Sequence, residues 1–139
     1  MPAKRTTAPQ AMGMPEPGER RYRDAQACDP DVLSMSALMG LVEAACVDAM
    51  CDRMRSDEWS IGRMTHVTHL APTPSDVPVF ATATFRTFDG ERYWFDVVAA
   101  DAAGPVASAS HARSIVARSA LAFQCASRRS CAGDTDSSC

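Results

Sequence analysis

The sequence predicts an α+β fold in which an antiparallel sheet wraps around one long helix, and three observations carry that expectation. The stretch from Asp31 to about Met54 contains no proline and a single glycine, so it reads as one helix. That helix is apolar nearly all round, since Glu43 is the only charge between Val32 and Val47. Beyond residue 60 the chain becomes short runs rich in Val, Phe and Thr, separated by turn signals. A helix apolar on every side is normally buried. In 139 residues, enough for one domain, a curled sheet is what can bury it.

The elements follow in order. Residues 1–18 carry Pro2, Pro9, Pro15 and Pro17 with Gly13 and Gly18 and show no periodicity, so they read as a flexible lead. The domain is expected over residues 19–123, opening with a short polar strand from Glu19 to Ala27. Asp29-Pro30 is a helix start, the carboxylate at the N-cap and the proline at the first helical position. Ile61 to Leu70 reads as a strand stopped by Ala71-Pro72-Thr73-Pro74. Val79 to Phe88 and Arg92 to Ala99 pair around Asp89-Gly90, a type I′ hairpin signal. Ala103-Gly104-Pro105 turns the chain into a last strand from Val106 to Arg118. Residues 124–139 are mainly Ser, Arg, Asp and Cys, and a disordered tail is expected there.

Composition removes several classes of function. Hydrophobic residues at 46% against 22% charged give an ordinary globular balance, which excludes a chain disordered or fibrous throughout. No apolar run approaches the roughly 18–20 residues of a membrane span. The polar, proline-rich start has no signal-peptide core, so a cytoplasmic protein is expected. The net charge is −3, and the densest basic cluster (Arg20, Arg21 and Arg23) is diluted by Glu16, Glu19 and Asp24. Neither a nucleic-acid nor a membrane partner is expected. The six cysteines form no C-x-x-C pair and no grouping with histidine, so they read as structural or incidental thiols, with no metal and no cofactor.

The chemistry concentrates on few residues. Glu43 is a carboxylate among apolar neighbours, and burial must either pair it or raise its pKa. It is thus a candidate acid/base group or the partner of an arginine such as Arg113. His66 and His69 lie three apart in a strand and point to opposite faces, which is wrong for two ligands on one metal. His111 lies in the last strand. Ser34 and Ser36 sit near the helix start, where hydroxyls commonly satisfy free N–H groups. Ser36 also precedes Glu43 by two helical turns and shares its face.

These residues carry a resemblance. Pro30-Asp31-Val32-Leu33-Ser34-Met35-Ser36-Ala37-Leu38-Met39-Gly40-Leu41-Val42-Glu43, then Ala45-Cys46-Val47 and Ala49-Met50, resembles the helix of the fluoroacetyl-CoA thioesterase family. Gly62 with Val67-Thr68-His69-Leu70-Ala71-Pro72-Thr73-Pro74 resembles the family's histidine-bearing strand, and His111-Ala112-Arg113 is similar to its His-x-Arg near the last strand. The likeness runs from about Pro30 to Ala120. It implies a hot-dog fold, a homodimer and a cleft for an acyl thioester carried by CoA or a carrier protein.

The family's site uses a threonine, a glutamate and a histidine. By resemblance Glu43 and His69 are the last two, while Met35 stands at the threonine's position, flanked by Ser34 and Ser36. The expected function is acyl-thioester hydrolysis in a specialised metabolic pathway, with Glu43 and His69 as the acid/base pair. Ser36 and Ser34 are then candidate catalytic hydroxyls. Met35, Met39, Gly40, Gly62 and Arg113 are candidates to bind substrate, and backbone N–H groups near Gly40 could face the thioester oxyanion. The alternative is a hot-dog protein that binds an acyl or hydrophobic metabolite without hydrolysis, or runs another acid/base reaction on it. Loss of the hydroxyl at Met35 favours the alternative; retention of Glu43 and His69 favours chemistry.

Overall fold

A computed structural model describes residues 4–7 and 31–133 of the chain. Its sheet has five strands: β1 (Lys4–Thr7), β2 (Glu58–His69), β3 (Phe80–Phe88), β4 (Tyr93–Asp101) and β5 (Gly104–Ala117). Their order is β1-β3-β4-β5-β2, with every neighbouring pair antiparallel. Helix α1 (Met35–Met50) lies across the sheet and contacts all five strands. This is the α+β layout the sequence predicts.

Strand periodicity builds the core. Ala81 and Ala83 on β3, and Phe95, Val97 and Ala99 on β4, alternate with exposed or half-buried residues and point at the helix. From α1 they meet Leu38, Leu41, Val42, Ala45, Cys46, Ala49 and Met50. The helix is not enclosed on every side, however. Met35, Met39 and Val47 are 39%, 44% and 37% exposed, because one sheet can cover only one side of a helical cylinder. An apolar face of α1 therefore stays open in the single chain.

The helix also starts later than expected. Asp29 and Pro30 lie outside the described residues, and Ser34 is the N-cap, its hydroxyl accepting from the Ala37 N–H at 3.2 Å. Before it, Val32 bridges Pro74, and the Leu33 N–H donates to the Thr73 carbonyl at 2.9 Å. Those bonds, with Leu33 buried, hold residues 32–33 extended rather than helical. At the other end α1 passes into a 3-10 turn, Cys51–Arg53.

The hairpin between β3 and β4 has four loop residues, Asp89 to Arg92, where a two-residue type I′ turn was expected. The Asp89 carboxylate accounts for the difference. It accepts from the N–H of Glu91 at 2.9 Å and Arg92 at 2.7 Å and from Trp94 Nε1 at 2.8 Å, bonds that hold its pKa at about 2. Gly90, at φ 97°, supplies the left-handed residue the loop needs.

The termini differ from expectation where they are described. Lys4–Thr7, within the supposed flexible lead, pairs with β3 as an edge strand; the strand expected at Glu19 to Ala27 lies outside the described residues. The tail expected to be disordered from residue 124 is instead helical as far as Gly133, in α2 (Arg118–Gly133). Ala120, Leu121, Ala122, Gln124 and Ala126 are good helix formers. The first turn is anchored by Arg118, whose N–H donates to the Asp57 carbonyl at 2.8 Å and whose guanidinium covers the Trp59 ring at 4.2 Å. Cys131 is disulfide-bonded, against the expectation of free thiols, and its partner lies outside the described residues.

No residue of α2 is buried. Deleting residues 126–139 should therefore move the melting temperature, measured in reducing buffer, by no more than about 2 °C, since little apolar area is lost. A drop of several degrees would show that the helix docks on the domain.

Candidate active site

The site begins with an irregularity in β2. Pairing with β5 shifts register between Gly62 and Met64, so Arg63 is an extra residue. The bulge reverses the alternation of the strand. Ser60 and Gly62 before it, and Thr65, Val67 and His69 after it, consequently share the face that looks toward α1. Without the bulge Thr65 and Ser60 would lie on opposite sides of the sheet.

That face receives Arg113 and His111 from β5, whose register partners are Gly62 and Thr65. Arg113 is only 3% exposed. Its Nε donates to Ser60 Oγ and its Nη2 to the Ser60 carbonyl, each at 2.9 Å. Its Nη1 lies 3.1 Å from His111 Nε2 and 3.6 Å from Glu43 Oε1. A Cβ at Gly62 would stand 3.3 Å from that same Nη1 and 3.5 Å from His111 Cε1, so a larger residue there would press on the guanidinium. His111 completes the row through a hydrogen bond between Nδ1 and Thr65 Oγ1. Burial, reinforced by the charge of Arg113, lowers the His111 pKa to about 4.

Glu43 is thus paired with the arginine suggested from sequence. The two partners differ sharply, because the Glu43 side chain is 58% exposed and that of Arg113 only 4%. A buried cation needs a counter-charge. Glu43 supplies one while presenting its carboxylate to the open side of α1, the surface that also holds Met35, Ser36, Met39 and Gly40.

His69 is placed elsewhere. It faces α1 on the Ala107 row, four residues along β2 from Thr65, or about 13 Å. Its Nε2 is buried and has no hydrogen-bond partner among the described residues. Within one chain Glu43, on α1, therefore meets the sheet at the Gly62 and Thr65 rows, while His69 lies at the end of β2, although the sequence suggests a single pocket for both. His66 is exposed on the opposite face, beside Ser110. Ser34 and Ser36 join each other at the helix start, their hydroxyls 3.0 Å apart, two turns before Glu43. Cys46, on the buried side of α1, has its thiol pKa pushed up to about 12 by burial, which keeps it unreactive.

Ser60 and Thr65 were not singled out from sequence. Their role depends on the bulge, and the one signal for it was a glycine inside a strand, Gly62. Among the described residues no group of three or more His, Cys, Asp or Glu could hold a metal ion. Nor is any described helix long and apolar enough to cross a membrane.

An antiparallel sheet packed on one long helix, with a helix carboxylate facing a buried arginine, defines a hot-dog protein. The sequence profile of the fluoroacetyl-CoA-specific thioesterases matches residues 20–119, and the chain belongs to that family. It is 36% identical over 87 residues to the fluoroacetyl-CoA thioesterase of Streptantibioticus cattleyicolor, an alignment covering 63% of each protein. A solved fluoroacetyl-CoA thioesterase superposes with a TM-score of 0.73 at 27% identity, covering 90% of this chain and 94% of the other. Another solved form of that enzyme, in complex with fluoroacetate and CoA, gives 0.69 at 29% identity over 86% of this chain and 97% of the other. A hot-dog-like protein from Thermanaerovibrio acidaminovorans, at 20% identity, shares the fold with a TM-score of 0.74 over 91% of this chain and 90% of that one.

Proposed function

We propose that the protein hydrolyses acyl thioesters of CoA or of a carrier protein, with Glu43 and His69 as its acid/base pair and the site completed between two copies of the chain. The observation that carries this reading is the Glu43–Arg113 pair: a half-exposed carboxylate on an open apolar helix face, anchored by a buried cation. In that role Glu43 takes a proton from water as its oxygen attacks the thioester carbon, the C–S bond breaks, and the departing thiolate receives a proton from His69, while the guanidinium keeps the carboxylate aimed. Its relatives' action on fluoroacetyl-CoA supports an acyl-CoA as the substrate class.

A second copy reconciles Glu43 with His69. Strand β2 is 12 residues long and ends the strand order, and its outer side has no partner among the described residues. An edge that long invites pairing. A two-fold partner pairing along it would run antiparallel, bringing the His69 end of one β2 beside the Ser60–Gly62 end of the other. The orphaned Nε2 of His69 would then lie near the partner copy's carboxylate. The open face of α1, with Met35, Met39 and Val47, would be covered in the same contact.

A panel of acyl-CoA substrates, read by release of free CoA thiol, tests the activity. Turnover of at least one short acyl-CoA is expected. The second reading, an acyl-binding protein without hydrolysis, rests on Met35 standing where the family has threonine. Ligand binding with no CoA release across the panel would establish that reading instead.

A further inference from the structure

We infer that His111 is a positioning residue for this site: a neutral imidazole, protonated on Nδ1, that holds the Arg113 guanidinium against Glu43. The inference rests on the acyl-thioesterase reading for its catalytic consequence, but its chemistry is independent of that reading. Arg113 can only donate hydrogen bonds, so the contact from Nη1 at 3.1 Å requires Nε2 to be the accepting, unprotonated nitrogen. The ring proton must then reside on Nδ1, which donates to Thr65 Oγ1. His111 is 2% exposed, and its row partner Phe95 is fully buried, so the ring has little freedom to rotate.

Two consequences follow from that tautomer. Thr65 accepts from the imidazole rather than giving it a proton, so Thr65 and His111 are not a nucleophile–base pair, although they are hydrogen-bonded. The guanidinium is meanwhile fixed on two further sides, by the Oγ and carbonyl of Ser60. With Nε2 accepting on a third side, the remaining direction of Nη1 is toward Glu43. A protonated His111 would set a second cation beside Arg113 and remove the acceptor. The depressed pKa of about 4 agrees with a ring that stays neutral in the working range.

The test compares His111→Gln with His111→Leu and adds an NMR reading of the wild-type ring. Glutamine reaches far enough to place its carbonyl oxygen where Nε2 accepts; leucine fills the space without an acceptor. The leucine variant should lower kcat by about tenfold or more, the scale of a misaimed catalytic group, while KM changes little. The glutamine variant should recover most of that loss at equal thermal stability. Nitrogen shifts of wild-type His111 at neutral pH should show Nδ1 protonated and Nε2 free. A ring protonated on Nε2, or glutamine no better than leucine in two folded proteins, would overturn the inference. If no acyl-CoA is hydrolysed, or leucine does not fold, the NMR reading still decides the tautomer. Failure of the thioesterase reading is then distinguishable from failure of this one.

Discussion

Glu43→Gln should lower thioester turnover by about 10²-fold or more, the usual scale for a lost acid/base group. Glutamine keeps the shape of the side chain and removes its charge, so the loss would report chemistry rather than packing. Glu43 is more than half exposed, so the fold should survive the change, with a lowered melting temperature because the buried Arg113 loses its counter-charge. His69→Ala should cost a similar factor, since its buried Nε2 makes no hydrogen bond among the described residues and is left for the shared site. The double variant should be scarcely worse than either single one, as expected for groups that act as a unit. Steady-state kinetics on the best acyl-CoA, with circular dichroism to confirm folding, measures all three. Full activity in Glu43→Gln would reduce the carboxylate to a counter-ion for Arg113 and move the acyl-binding reading to the front.

The largest effect on stability is expected at Phe95. Its side chain is fully buried near the start of β4, edge-on to Phe85 with ring centroids 5.9 Å apart. The Arg53 guanidinium covers Phe85 from above at 4.4 Å, closing that end of the core. Phe95→Ala should therefore destabilise the domain by about 3–5 kcal/mol, combining lost burial with the cavity left behind. Equilibrium urea unfolding measures the difference directly. A cost below about 1 kcal/mol would mean that Phe95 does not close the core as described.

How far the sequence revealed this arrangement can be followed residue by residue. The helix and the four main strands were legible because their signals are local: a largely apolar, proline-free stretch from Val32 to Val47 with Glu43 its only charge, and β-branched runs bounded by Pro, Gly and Asp. The Ser34 cap was hidden by the stronger-looking Asp29-Pro30 pair, because the competing bridge from Val32 to Pro74 joins residues 42 positions apart. Four loop residues replace two at Asp89 because one carboxylate gathers three donors, a geometry that a dipeptide signal does not encode.

At the site, Glu43 and Arg113 were legible, the first as a charge in an apolar helix and the second as its candidate partner. Ser60 and Thr65 were not, since a bulge changes which residues share a face and leaves only Gly62 as a trace. The separation of Glu43 from His69 was equally invisible. Residue spacing describes one strand at a time, whereas this distance depends on which row of the sheet each residue occupies.

The central claim, a site built from Glu43 of one copy and His69 of another, is tested most directly by mixing two inactive variants. If the chain is the proposed homodimer, Glu43→Gln and His69→Ala proteins unfolded together and refolded as a mixture would form mixed dimers in which one of the two shared sites keeps both groups. Since half of the dimers are mixed, activity should return to about a quarter of the wild-type level. Activity remaining at the level of the separate variants, in a mixture shown to contain mixed dimers, would contradict the shared site.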